Sequence, residues 1–449
     1  MNVPTSLAIC IGVLLVLLWL LRRDRASMGL PIAYYLAFML IHLPGAYAFM
    51  ASGGIYGGSA TELGMRITAI GCVAFLAGVT LGRGVIRGRN VQAQQASKRK
   101  LNYIPQPPDR RFWVFCLAGG WTLVFVLSAI LRLPSVGAVV EKGGAIWILG
   151  AMLGVAHAFI KGDVRRVALW SSATLVYPAF MLLLGGFLSY GSTAVIVVLS
   201  ILTIAAKRYW LMLTSLALGS FVGITIFVNY FAARNDLRNA VWGGQAMSAR
   251  FAVIGDAIKN FSVFSVQNPA HLNALDARLN QNYFIGVAAE RLQMGHVSFL
   301  EGRSISEGFL ALIPRLVWPE KPVFGGSGNL VAELTGLNLD RDTSWGVGNV
   351  MEFYINYDLA GVVIGFLLLG WAIGYLDRKT AECLQVGNLG SAFVFFLPCV
   401  ALIQPNGAIV ELTGGAAAAL VAGLGWRVVW RSWSTRGRPA SQVTYPSRP

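Results

Sequence analysis

Long apolar runs separated by short polar breaks dominate the chain. A run of roughly 18–20 apolar residues crosses the hydrocarbon of a bilayer as a helix. Eleven runs approach that length, at 5–21, 29–50, 67–86, 112–131, 144–160, 167–188, 192–206, 209–231, 357–376, 389–404 and 407–426. Their boundaries allow ten to twelve spans, and 192–206 is short enough to be re-entrant. The pattern changes between 232 and 356. Residues 237–264 carry apolar side chains at rough helical spacing, as do 287–299, and both predict amphipathic helices lying on a membrane surface. Residues 303–316 read as a half-helix stopped by Pro314 and Pro319. The organisation is therefore helices 1–8 over 1–231, a large loop over 232–356, helices 9–11 over 357–426 and a basic tail over 427–449.

Composition agrees with this. Of 449 residues, 56% are hydrophobic and 12% charged, with mean hydropathy +0.62, against about 25% charged in a soluble chain. The expected fold class is an all-α polytopic membrane protein. The formal charge of +16 invites a nucleic-acid reading, but its distribution argues for topology instead. Alternate loops and the tail hold 23 Lys/Arg against 5 Asp/Glu, while the rest of the chain holds 13 against 15. Basic loops stay in the cytoplasm, so the expected orientation is N-out and C-in, with the large loop outside the cytoplasm. No nucleic-acid partner is implied. The five cysteines show no metal spacing and no pairing in an outer loop, so neither zinc nor a disulfide is expected.

Candidate chemistry concentrates in the large loop, above all in 312–358, where Arg, Lys, Trp, Pro and Gly are mixed with acids. The loop holds ten Lys/Arg and eleven Asp/Glu, a balance that a salt-bridged lid would also produce. Arginine grips phosphate oxygens with two parallel hydrogen bonds and keeps its charge. Arg291, Arg303, Arg315 and Lys321 are the candidates for holding a pyrophosphate. His296 titrates near neutrality and is the first candidate base, with Asp342 and Glu352 behind it. Trp318, Trp345 and Tyr354 suit stacking on sugar faces, and equally suit an interfacial aromatic belt. Asp340-Arg341-Asp342 has the spacing of a metal and nucleotide-sugar motif, but nucleotide sugars are cytosolic and this triplet lies on the other side. Glu411 sits one turn inside the last span. Walker, G-x-S-x-G and H-E-x-x-H motifs are absent from the sequence.

The order of parts resembles the Wzy-type polymerases of O-antigen and exopolysaccharide synthesis. The words that carry the likeness are Ile313-Pro314-Arg315-Leu316-Val317-Trp318-Pro319-Glu320-Lys321-Pro322, the Gly-rich turn after it, 343–348, and Glu352-Phe353-Tyr354 running into a span. Arg315 to Gly326 and Arg291 to Gly302 also fit an R-x10-G spacing used in that family. The resemblance implies a GT-C-like fold in the bacterial inner membrane. It implies transfer of a growing glycan from undecaprenyl pyrophosphate onto a lipid-linked repeat unit, with no cofactor or metal. The partners it implies are undecaprenyl-pyrophosphate-linked oligosaccharides, membrane lipid and a separate protein that sets chain length. An O-antigen ligase would use the same donor. A transporter or flippase would be expected to show internal repeats, and none is visible.

Overall fold

A computed structural model describes residues 2–24, 26–55, 57–95, 110–127, 136–185, 189–205, 209–313, 317–322, 327–338 and 345–435. All regular structure among them is helical. In chain order the helices are α1 (Val3–Arg23), α2 (Leu30–Ala51), α3 (Gly58–Gln95), α4 (Arg110–Trp121, continued by a π-helical stretch Thr122–Leu127), α5 (Val136–Gly144), α6 (Ile146–Ile160), α7 (Val164–Gly185), α8 (Ser189–Ala205) and α9 (Tyr209–Trp242). Then come α10 (Met247–Lys259), α11 (Pro269–Leu279), α12 (Gln281–Gln293), α13 (Arg303–Ala311), α14 (Ser327–Thr335), α15 (Asn349–Gln385), α16 (Leu389–Ala401) and α17 (Ile409–Thr435). Eight segments among the described residues are long and apolar enough to cross a membrane, and three shorter apolar ones, Arg111–Leu127, Gly191–Ile204 and Leu389–Ala401, accompany them. The chain is a multi-pass membrane protein.

Small residues let the central helices approach closely, as they must where lipid tails compete equally for apolar side chains. α3 and α15 run side by side. A Cβ at Gly78 would run into the Leu367 carbonyl and one at Gly82 into the Trp371 carbonyl, while Gly370 and Gly374 press on the backbone of Phe75 and Val79. At one end of this pair the charges are buried and paired. Asp377 is fully buried and accepts from Ser27 Oγ (2.7 Å), Met28 N (2.9 Å), Leu30 N (3.1 Å) and the Arg83 guanidinium. It therefore caps the first turn of α2 from a helix more than three hundred residues away in sequence. Arg83 also donates to Asp24 Oδ2 (2.8 Å) and the Ala26 carbonyl (2.7 Å), and Arg378 donates to the Arg83 carbonyl (2.6 Å).

Helix α15 is broken near its start. Tyr357 and Asp358 leave helical geometry, and Asp358 adopts φ 54°. The segment before the break folds back along the one after it: the Phe353 carbonyl blocks a Cβ at Gly361, and the Phe353 ring fills the space beside Gly365. Leu300 N donates to the Ile355 carbonyl (2.9 Å) and Gly302 N to Asn356 Oδ1 (3.0 Å), which staples the preceding loop to the break. The folded-back segment meets the turn between α16 and α17 inside the bundle. Asn349 N donates to the Pro405 carbonyl (2.9 Å), Asn349 Nδ2 to the Gly407 carbonyl (3.0 Å), and Tyr34 Oη to Asn349 Oδ1 (2.8 Å).

The segment read as a second surface helix over 287–299 belongs instead to the core. Most of it lies in α12, which crosses α3 at glycine contacts. A Cβ at Gly286 would enter the Ala60 carbonyl, and one at Gly64 the Asn282 carbonyl. Leu292, Ala288 and Ala289 are buried there. The helical spacing marks a core-facing stripe, which a bilayer-facing stripe matches in sequence.

Candidate functional site

At the end of α2 opposite Asp377, three arginines and three aromatic rings gather. Phe231, Arg234, Arg238 and Trp242 recur at helical intervals along the last three turns of α9. The Arg234 guanidinium lies 5.7 Å from the Phe231 ring and that of Arg238 5.2 Å from the Trp242 ring. Arg278 joins them from α11. That helix starts at Asn268, whose side chain accepts from Ala270 N, and carries Leu272, Leu275 and Leu279 into a small core against Ala48 of α2 and Val228 of α9. Asn280 closes it, packed on Gly45 and bonded to Thr61 Oγ1 (3.1 Å).

Arg278 stacks 4.2 Å over the Trp345 ring, which also meets Phe284 edge-on at 5.0 Å. Burial, then repulsion from Arg234 and Arg238, push the Arg278 guanidinium down to about 10, still charged at neutral pH. Arg234 is 8% exposed. Among the described residues neither Arg234 nor Arg278 forms an ion pair with a carboxylate, and Arg234 Nε has no hydrogen-bond partner. Trp345 Nε1 and Gln281 Oε1 are likewise buried without partners. Like-charged, desolvated guanidiniums beside unused polar atoms favour an anion.

The strip continues from this basic cluster into the bundle. Trp345 leads to Gly346, whose carbonyl accepts from Gln281 Nε2 (3.1 Å), then to Gly348 (φ 72°) and Asn349. One turn further stands Glu352, fully buried. Its Oε2 accepts from Ile409 N (2.6 Å), so it caps α17. Its Oε1 has no partner of hydrogen-bond geometry, although the Ser304 hydroxyl stands beside the carboxylate. Asn356 Nδ2 donates to Ser304 Oγ (2.8 Å) and to the Glu352 carbonyl (2.7 Å).

The other candidates from the sequence are scattered. Arg303 is exposed and grips Glu333 with two hydrogen bonds (3.0 and 3.1 Å). Lys321 donates to the carbonyls of Ala311 (2.7 Å) and Ile313 (2.9 Å), so it holds the C-terminal end of α13. Arg291 packs its guanidinium against Gly336, the left-handed residue after α14. His296 is exposed just beyond α12. Tyr354 is 2% exposed, with Gln293 donating to its hydroxyl (3.3 Å), so it offers no open face for stacking on a sugar. Trp318 is half-buried on the surface. Arg315 and Asp342 lie outside the described residues. Among the described residues, the structure thus brings Trp345 and Glu352 onto one strip and leaves Arg291, His296, Arg303, Trp318, Lys321 and Tyr354 elsewhere. In the sequence, Arg234, Arg238 and Arg278 are only three of the loop's ten cations. The i, i+4, i+8 spacing of Arg234, Arg238 and Trp242 is the signal that could have found them.

Compared with known protein families, curated proteins and solved structures, the chain matches none.

Proposed function

We propose that this chain is an integral-membrane glycosyltransferase that passes a growing glycan from a polyprenyl pyrophosphate onto a lipid-linked repeat unit, releasing the polyprenyl pyrophosphate. The observation that carries the reading is the gathering of Arg234, Arg238 and Arg278 around Trp345. The charge split along the sequence supports eleven spans, N-out and C-in, with this cluster outside the cytoplasm of a bacterial inner membrane. A lipid-linked pyrophosphate carries its phosphates at the headgroup level on that side. The proposed pyrophosphate role accordingly passes from Arg291, Arg303 and Lys321 to these three arginines.

The chemistry follows from the residues. The bond to the departing pyrophosphate breaks with negative charge building on its oxygens, and fixed cations in a desolvated site stabilise that charge without needing reorganisation. The acceptor hydroxyl attacks the anomeric carbon and loses its proton to a nearby acceptor. Glu352, at the other end of the strip, takes that role in this reading ahead of His296. Trp345 offers an apolar face beside the cluster for a sugar ring. The resemblance carried by 313–322, 343–348 and 352–354 points the same way and implies a GT-C-like fold.

A transporter reading draws on one observation, the broken α15 meeting the α16–α17 turn inside the bundle, since discontinuous helices often line translocation paths. The test is direct. Purified protein in detergent, given polyprenyl-pyrophosphate-linked repeat units, should make a ladder of longer glycans, and Arg278→Ala should abolish it while leaving insertion and folding intact. Absence of a ladder with authentic substrate, or a full ladder from Arg278→Ala, overturns the proposal.

A further inference from the structure

The Asn356 side chain uses both of its polar atoms. Its Oδ1 accepts from Gly302 N (3.0 Å), and its Nδ2 donates to Ser304 Oγ (2.8 Å) and to the Glu352 carbonyl (2.7 Å). A backbone N–H can meet only the amide oxygen and a carbonyl only the amide nitrogen, so these partners fix which way the amide points. Ser304, Glu352 and Asn356 are all buried. The direction of the next contact follows. Ser304 Oγ accepts from Asn356, and its own hydrogen has no bonded acceptor among the described residues. Glu352 Oε1 stands beside it, buried and without a donor. A buried carboxylate oxygen left unpaired is costly, and a small turn of the carboxylate brings it to the one hydroxyl whose hydrogen is unused.

The break in α15 is what brings these groups together. In an unbroken helix the Ile355 carbonyl would accept from the amide four residues on. The break at Tyr357 and Asp358 frees it, and Leu300 N takes it (2.9 Å). Gly302 follows with φ 90°, where a Cβ would also strike the Tyr357 hydroxyl. The chain then enters α13, and Ser304 comes to lie against Glu352. From the other side, Thr413 Oγ1 of α17 donates to the Gly308 carbonyl of α13 (2.9 Å), and Gly308 lies on Ile409. Ile409 N in turn donates to Glu352 Oε2. The two groups that serve the carboxylate, Ser304 and Ile409, are therefore held by helices locked to each other.

We infer that Ser304 is a positioning residue for Glu352: its hydroxyl, oriented by Asn356, donates to Oε1 while Ile409 N holds Oε2, so that the carboxylate is fixed in the attitude in which it meets the acceptor hydroxyl. A donor on each oxygen stops the carboxylate from swinging about its last bond. The inference rests on the reading of Glu352 as proton acceptor in the function proposed above, and it gives the fold-back of α15 a task in that reaction.

Ser304→Ala, Ser304→Thr and Glu352→Gln in the full chain test it, with the thermal midpoint of each recorded. Infrared difference spectra in alkaline buffer identify the Glu352 carboxylate band as the one lost in Glu352→Gln. That band should move in Ser304→Ala and stay in place in Ser304→Thr, which keeps the hydroxyl, and this readout needs no activity. In elongation assays Ser304→Ala should lower kcat about 10- to 100-fold with KM unchanged, the scale expected when a reacting group is misplaced by about 1 Å. Ser304→Thr should recover most of the parental kcat. A carboxylate band that does not move in Ser304→Ala overturns the contact. A moved band with parental kcat overturns the positioning role. A Glu352→Gln variant that elongates at the parental rate overturns the reading of Glu352 itself, and the role of Ser304 falls with it even where the band has moved.

Discussion

The guanidinium carbon of Arg278 lies 4.2 Å from the centre of the Trp345 ring. The stack joins α11, which arrives packed on α2, to the segment that leads into α15. It holds a cation over the face of a partly buried ring. A contact of this kind is worth about 0.5–2 kcal/mol. The contact is present in the free and the donor-bound protein alike, so Trp345→Ala should lower the thermal midpoint and, by leaving the Arg278 guanidinium unheld, raise donor KM with little change in kcat. Arg278→Lys keeps the charge but loses the planar fork, and should fall between the parent and Arg278→Ala. Arg278 is charged below about 10, so pyrophosphate binding should persist through neutral pH and weaken only as pH rises through that value.

The network at the opposite end makes a different prediction. Asp377 and Arg83 are both nearly inaccessible, and each satisfies further groups: the α2 amides for one, Asp24 and Ala26 for the other. Removing one member of such a pair leaves a buried charge uncompensated and costs about 3–5 kcal/mol. Asp377→Asn should thus lower the thermal midpoint of the detergent-solubilised protein sharply. Arg83 keeps Asp24 as a partner in that variant, so adding Arg83→Met should deepen the loss, but by less than Arg83→Met costs the parent chain. If the double variant is less stable than the single one by the full cost of Arg83→Met alone, the two residues are not coupled.

Asp24 gives that network a pH dependence. Burial alone would raise its carboxyl, but attraction and hydrogen bonding from Arg83, with a smaller pull from Arg378, outweigh burial and hold it below its ordinary value. A carboxylate depressed in the folded state contributes stability that is complete above its unfolded value of about 4 and is lost as pH falls through the lower folded value. Thermal midpoints measured from about pH 5 downward, at about half-unit steps, should therefore drop more steeply for the parent chain than for Asp24→Asn. Parallel curves would remove Asp24 from the acid response.

How much of this was readable from the sequence depends on how local the cause is. The long apolar runs are local, and the described part of each run from 5–21 to 407–426 falls on a helix, including the three short ones at Arg111–Leu127, Gly191–Ile204 and Leu389–Ala401. The fold-back at Tyr357–Asp358 carries no proline or glycine of its own; it depends on Gly361 and Gly365, which make room for Phe353 and which look like ordinary span glycines in sequence. The arginine cluster was half legible. Arg234 and Arg238 share a helix face by spacing, but Arg278 reaches them only because Leu272, Leu275 and Leu279 seat α11 between α2 and α9. Arg303 and Lys321 looked available because their partners, Glu333 and two carbonyls near the end of α13, are fixed by tertiary packing.

Glu352 distinguishes a structural cap from a group that handles a proton. Its Oε2 accepts the Ile409 amide at 2.6 Å, and that bond alone would explain a buried carboxylate at the start of α17. The free Oε1 beside Ser304 is what a cap does not require. Glu352→Gln keeps an oxygen for Ile409 but cannot take a proton, whereas Glu352→Ala loses both functions and leaves a small cavity. If Glu352 accepts the proton of the acceptor hydroxyl, the Gln variant should keep its thermal midpoint within the error of the parent and lose glycan elongation about 100-fold or more, the usual scale for a general base. The Ala variant should lose elongation and also about 1–2 kcal/mol of stability from the missing cap. His296→Gln, on an exposed turn, should leave elongation unchanged. A Glu352→Gln variant that elongates at the parental rate would reduce Glu352 to a cap, and a collapse of elongation in His296→Gln would return the base to His296.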